Sequence, residues 1–194
     1  MIRRVLLGLL SLGTTLLPAA AMQRQHEPAE VAVCVVAPRV EPVEDADGAG
    51  VVPVPDPSLV VIEPLEELRI ERAGLPVWRG QAREGAALPM PFIWPTAPIR
   101  PGETVLVRLR PQQAPRDAFA HVLLVGASAA RMAATAELLN SLGRSAQGWL
   151  LAIEAALQSG DVPLAWALLF APQAPLSSDL VALRQEVVRR GCGD

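Results

Sequence analysis

The spacing of apolar residues changes once along this chain, near residue 126, and that change limits the folds open to it. Before it, apolar and polar residues alternate, so that Val105, Val107 and Leu109 fall on one face of a strand. After it, apolar residues recur at every third or fourth position, which is the period of an amphipathic helix. We therefore expect an α+β chain, with an antiparallel β-sandwich over residues 31–125 and three or four short helices over 128–190, packed on the sandwich.

The stretch Ile99–Arg110 is expected to provide the central strand of that sandwich. Pro101-Gly102 supplies a turn, and the alternating pattern begins directly after it. Leu106, Arg108 and Arg110 fall on the face opposite to the buried one. We interpret the two arginines as part of a solvated face.

Prolines and glycines divide the rest of the sandwich region. Residues 38–57 contain five prolines among acidic residues and glycines, so we interpret them as a flexible loop. Two alternating runs, 65–72 and 77–82, flank a turn and predict a hairpin. The proline-rich run 86–98 is typical of an edge strand or of a strap across the mouth of the sandwich.

The first residues are typical of a secretory signal. Arg3 and Arg4 precede an apolar run over 5–17, and three alanines at 19–21 follow it. We expect residues 1–21 to be removed by cleavage after Ala21 and the protein to be periplasmic or secreted, with a retained anchor as the alternative. After cleavage no transmembrane segment would remain.

The charge of the chain excludes one class of partner. All 17 basic residues are arginine, and removal of Arg3 and Arg4 would leave 15 against 20 acidic residues, a net charge of −5. A mildly acidic chain without a basic patch is a poor ligand for nucleic acid.

Four helices are indicated by capping residues in front of periodic apolar segments. Ser128, Ser145 and Asp161 precede the first three, and Ser177 or Ser178 precedes the last, which should end near residue 190. The segment 164–170 is apolar all round, so we expect it to lie between the other helices and the sheet.

The chain has two cysteines, Cys34 and Cys192. Export would permit a disulfide between them, which would tie the first strand to the last helix and close a loop of 158 residues. The alternative is two unrelated cysteines, one in a strand and one near the C-terminus.

Ser128 is a candidate catalytic serine, because the segment 126–130 reads G-A-S-A-A between a predicted strand and a predicted helix. That layout is found at nucleophile elbows. A histidine base should follow the serine in such enzymes, but the two histidines, His26 and His121, both precede it. We therefore predict an ordinary helix N-cap at Ser128, no catalytic residues, and keep a serine hydrolase only as an alternative.

No metal or cofactor site is predicted. The segment Asp45–Gly50 resembles the start of a calcium loop, but Asp56 stands where a glutamate is required. His121 has no metal-ligating residue at a familiar spacing, and no glycine motif of a phosphate site is present.

Two of the four tryptophans, Trp78 and Trp94, are candidates for contact with a ligand or partner. Core packing is the usual role of such side chains. Trp94, which lies between prolines, is expected nearest the surface, and with Trp78 it would serve a small-ligand or glycan binder if the protein is one.

Two resemblances accompany these patterns. Ile99–Arg110 resembles the L-x-P-G-x-x-Y corner of fibronectin type III and other immunoglobulin-like domains, with Val105 in place of the tyrosine, and this implies an immunoglobulin-like sandwich. Residues 149–169 are similar to one tetratricopeptide-type helical hairpin.

The order of signal, proline-rich sandwich and short helices resembles uncharacterised secreted proteins of cyanobacteria, which implies an envelope location. Because no catalytic constellation is visible, we expect an exported non-catalytic envelope protein. Its partner would be another envelope protein, bound at an exposed sheet edge or in the groove beside the helical hairpin.

Overall fold

A computed structural model describes residues 31–43 and 46–192 of the 194-residue chain. The predicted signal 1–21 and His26 lie outside these residues. The strands are β1 (Val35–Ala37), β2 (Glu41–Val43), β3 (Ala46–Val52), β4 (Val60–Val61), β5 (Leu65–Arg72), β6 (Leu75–Gln81), β7 (Thr104–Pro111) and β8 (Ala120–Gly126). The helices are α1 (Ala129–Leu142), α2 (Ala146–Gln158), α3 (Val162–Leu169) and α4 (Ser178–Arg190). Strands followed by helices confirm the predicted α+β class.

Six strands form one sheet in the order β2-β3-β8-β7-β5-β6. Strand β7 is central, as predicted, and Val105, Val107 and Leu109 are fully buried on its inner face. The sheet is mixed rather than wholly antiparallel, because β3 runs parallel to β8. This pairing joins strands far apart in sequence, which local periodicity cannot indicate.

The interpretation of residues 38–57 as a flexible loop is wrong, because these residues contain both β2 and β3. The glycines that suggested a loop have a packing role in β3. A Cβ atom at Gly50 would collide with the carbonyl oxygen of Arg39, and one at Gly48 would press on Val40. Glycine therefore lets β3 lie close against the preceding segment.

Strands β1 and β4 form a short two-stranded ribbon between two cores. Val35 and Val61 face the core under the large sheet, whereas Val36 and Val60 face the core among the helices. Burial on both faces explains why these segments are continuous apolar runs without alternation. The ribbon thus joins the sheet and the helices into one packed unit.

The turn before β7 is held by a carboxylate as well as by apolar packing. Val105, at the position of the missing tyrosine, is fully buried. One oxygen of Glu103 accepts a hydrogen bond from the backbone N–H of Arg100 at 2.8 Å, and the other lies 2.7 Å from a guanidinium nitrogen of Arg72. These contacts lower the pKa of Glu103, the hydrogen bond from Arg100 being the largest cause.

The four predicted helices begin at the expected caps. The side chains of Ser128, Ser145, Asp161 and Ser177 each accept a hydrogen bond from a backbone N–H in the first turn. The apolar helix α3 packs against α2 and buries Ala165, Leu168 and Leu169. No described helix has the length and apolar character needed to span a membrane.

Cys34 and Cys192 have disulfide geometry, with sulfur atoms 2.07 Å apart and Cα atoms 5.7 Å apart. The bridge fastens the chain just before β1 to the residues just after α4. It therefore links the buried ribbon to the last helix, as the sequence allowed.

Candidate functional site

A cavity of about 310 Å³ lies between the segment that follows β3 and the helices α1 and α3. The sheet side provides residues 52–58 together with Ala37 and Pro38. The helical side provides part of α1, part of α3 and residues 170–173. A volume of this size lies at the lower end of the range of small-molecule sites, about 300–1,000 Å³.

The sheet-side wall is a proline-rich segment that follows β3. Pro53, Pro55 and Pro57 restrict the backbone, since each proline ring holds φ near a single value. The wall is also tied to the Ile99 stretch, because the N–H of Ile99 donates a 2.8 Å hydrogen bond to the carbonyl of Pro55. The segment that we interpreted as the end of a loop is thus a preformed surface.

The helical wall is apolar and partly aromatic. Trp166 and Phe170 are four residues apart, so they lie on one side of α3 and its C-terminal end. From α1, Ala136 and Leu139 face the same space. Because α3 is apolar all round, it fills the helical core with one side and lines the cavity with another.

Few polar groups line the cavity. Asn140 and Gln173 are exposed at its rim, and Asp56 is the one charged side chain among the described lining residues. Ser58 is 8 % exposed, and its Oγ has no hydrogen-bond partner among the described residues. A buried hydroxyl without a partner is uncommon in folded proteins, and it calls for an explanation.

The residues of the proposed nucleophile elbow have structural roles. Ser128 Oγ accepts a hydrogen bond from the N–H of Arg131 at 3.3 Å, as an N-cap does. A Cβ atom at Gly126 would collide with the carbonyl of Arg100, so the glycine permits close approach of the turn before β7. His121 lies on β8 with its Nε2 3.4 Å from an Arg108 guanidinium nitrogen.

The expectation that Trp94 lies nearest the surface is wrong. Its side chain is buried in the sheet core, and its indole N–H donates a 3.1 Å hydrogen bond to the carbonyl of Ala97. Trp78 is half-buried, packs over Gly80 and lies 5.4 Å from the ring of Phe92 between centroids.

A second polar cluster lies on the outer face of the sheet, around Glu67. This carboxylate is 1 % exposed, and its oxygens lie 2.6 Å from Arg69, 2.5 Å from Arg79 and 2.9 Å from Arg110. Burial by itself raises the pKa of Glu67, but the hydrogen bonds from the three arginines outweigh it and lower the pKa to about 2.

The interpretation of Arg110 as solvated is therefore wrong. Its side chain is 4 % exposed, because it pairs with Glu67 and, at 2.8 Å, with Glu66. The guanidinium of Arg69 also stacks 4.3 Å from the ring centre of Phe119. Both oxygens of Glu67 lie within ion-pair distance of arginines, so we interpret this cluster as stabilising the pairing of β5 with its neighbours.

Within residues 31–43 and 46–192 no group of three or more histidine, cysteine, aspartate or glutamate side chains could hold a metal ion. Comparisons with protein-family models, with curated proteins and with solved structures found no match to this chain.

Proposed function

We propose that this protein is an exported, non-catalytic binding module of the cell envelope that receives an apolar side chain of a partner protein in the cavity between the Pro53–Ser58 segment and helices α1 and α3. The observation that carries the proposal is the cavity itself. A concave, mainly apolar space with a few convergent polar groups is the usual form of a binding site. Its proline-rich wall is preformed, which limits the ordering entropy lost on binding.

The edges of the large sheet favour binding in the cavity over the addition of a partner strand to the sheet. The two outer strands of the large sheet each contain a proline, Pro42 in β2 and Pro76 in β6. Proline lacks the N–H that an added strand would need, and it is a common device against edge-to-edge pairing. A partner is therefore better accommodated beside the helices than along an edge.

The envelope location rests on the N-terminal pattern and is supported by the cysteine pair. A disulfide between Cys34 and Cys192 persists in an oxidising compartment such as the periplasm or the exterior. The resemblance to secreted cyanobacterial proteins agrees with the same location.

We further propose that the sheets belong to the immunoglobulin-like class. Two observations support this. Strands β5, β7 and β8 are adjacent and antiparallel, in the manner of the C, F and G strands of such domains. The β1–β4 ribbon shares the core of the large sheet, as a second sheet would.

A pair of tryptophan substitutions on α1 tests the proposed function. Ala136 and Ala133 are both exposed, but only Ala136 lines the cavity. We expect Ala136→Trp to obstruct the cavity and Ala133→Trp to leave it open.

Affinity capture from the envelope fraction of the source cells should give a stoichiometric partner with the wild type and with Ala133→Trp, and should lose it with Ala136→Trp. Thermal unfolding of both variants establishes that they are folded. Retention of the partner by Ala136→Trp, or no stoichiometric partner with any of the proteins, would contradict the proposal.

A further inference from the structure

The described lining of the cavity contains a negatively charged side chain but no positively charged one. The sequence contains 17 basic residues, yet none of them is among the described residues that line the cavity. Asp56 supplies the one charged group there, and it is exposed. A group carrying a negative charge would meet a carboxylate with no compensating cation in the described lining, whereas a positive charge would be attracted.

The aromatic side chains favour the same sign of charge. Trp166 and Phe170 both line the cavity. The faces of aromatic rings attract cations, and tryptophan does so most strongly. Their apolar surface also accommodates an uncharged body, so a cationic group attached to an apolar one suits both walls.

Ser58 supplies a second polar group on the same wall as Asp56. Its hydroxyl is closed to solvent, whereas the carboxylate of Asp56 is exposed. Ser58 Oγ is buried and unpaired among the described residues. The charge of a bound group is therefore met by Asp56, and the buried hydroxyl takes no part in the selectivity.

Resting on the proposed function above, the geometry points to a partner whose anchor is an apolar side chain beside a cationic group, with Trp166 and Phe170 receiving the apolar body and Asp56 attracting the charge. An apolar side chain next to lysine or arginine in an exposed segment has this chemistry. An apolar side chain next to aspartate or glutamate is rejected.

Three small probes that share one apolar body test this selectivity: phenylpropylamine, phenylpropanol and phenylpropanoate. Binding is measured by titration of the ¹⁵N-labelled full-length protein and followed at the indole N–H of Trp166, which is assigned with Trp166→Phe. We expect the amine to bind about tenfold more tightly than the carboxylate, with the alcohol between them, as for charges a few ångströms from an exposed carboxylate.

Asp56→Asn should make the amine and the carboxylate bind as the alcohol does. Asp117→Asn removes the same charge from an exposed residue outside the cavity lining and should leave the order unchanged.

The results separate the two proposals. Equal affinities for the three probes, tighter binding of the carboxylate, or an unchanged order in Asp56→Asn would overturn the charge selectivity and leave the cavity as a binding site. Absence of any shift at Trp166 with all three probes, or binding that Ala136→Trp does not reduce, would overturn the cavity as the site and with it both proposals.

Discussion

Glu67→Gln is expected to destabilise the protein strongly, although it changes one atom in a side chain that has no role in binding. The glutamine amide would turn an NH2 group, which only donates, towards the donors of Arg69, Arg79 and Arg110 in place of one carboxylate oxygen. It would also leave Arg110, which is 4 % exposed, without its buried counter-charge. Loss of one partner from a buried ion pair typically costs about 3–5 kcal/mol.

The pKa of Glu67 gives an independent value for the free energy that its carboxylate contributes to stability. Its value falls from an ordinary 4.5 to about 2 on folding. At 1.36 kcal/mol for each pKa unit, the ionised carboxylate contributes about 3 kcal/mol to the free energy of unfolding. Because the folded-state pKa is the lower one, this contribution is fully present above pH 4.5 and is lost as the pH falls towards 2.

Urea unfolding of the wild type and of Glu67→Gln at a series of pH values measures both effects. The difference in unfolding free energy should be about 3 kcal/mol near neutral pH and should shrink as the pH falls below 4.5. Glu66→Gln is the matched control, because Glu66 is 42 % exposed and, among the described residues, pairs with Arg110 alone. It should cost less than about 1 kcal/mol. Equal losses in the two variants, or a loss for Glu67→Gln that is independent of pH, would refute the reasoning.

Three further outcomes are expected. Replacing Cys34 and Cys192 by serine should lower the free energy of unfolding by up to about 5 kcal/mol, because it opens a loop of 158 residues. A difference of less than about 1 kcal/mol between wild type and variant in denaturant unfolding would contradict this explanation by chain entropy. Gly126→Ala should cost about 1–3 kcal/mol, since the new methyl group meets the carbonyl of Arg100, and an unchanged urea midpoint would speak against that contact. Ser128→Ala should cost about 1 kcal/mol through loss of the helix cap, and covalent labelling of wild-type Ser128 by a fluorophosphonate would show that the serine is more than a cap.

The elements that depend on local patterns could be predicted from the sequence. The alternation in β7 identified its buried face, and the capping residues identified the starts of the helices. Strands β2 and β3 could not be predicted, because their prolines, acidic residues and glycines are also typical of loops. Only the parallel partner β8 and the close approach of Arg39 and Val40 explain why Gly48 and Gly50 lie in a strand.

From the sequence, the candidate site could be predicted only as a groove beside the helical hairpin. The prolines and glycines of residues 38–57 predict a flexible loop, and nothing local in them indicates that helices α1 and α3 face the end of this segment. The same limit applies to Arg110, whose burial depends on Glu67 across the strand pair β5–β7. Cross-strand partners of this kind are set by register, which the isolated segments do not specify.

The most direct measurement of the central claim is a titration with phenylpropanol, which carries no charge and therefore tests the cavity apart from its charge preference. Binding is followed at the Trp166 indole N–H in the wild type, in Ala136→Trp and in Ala133→Trp. We predict saturable binding to the wild type and to Ala133→Trp, and none to Ala136→Trp. Equal binding to both variants, or none to the wild type, would contradict the assignment of this cavity as the binding site.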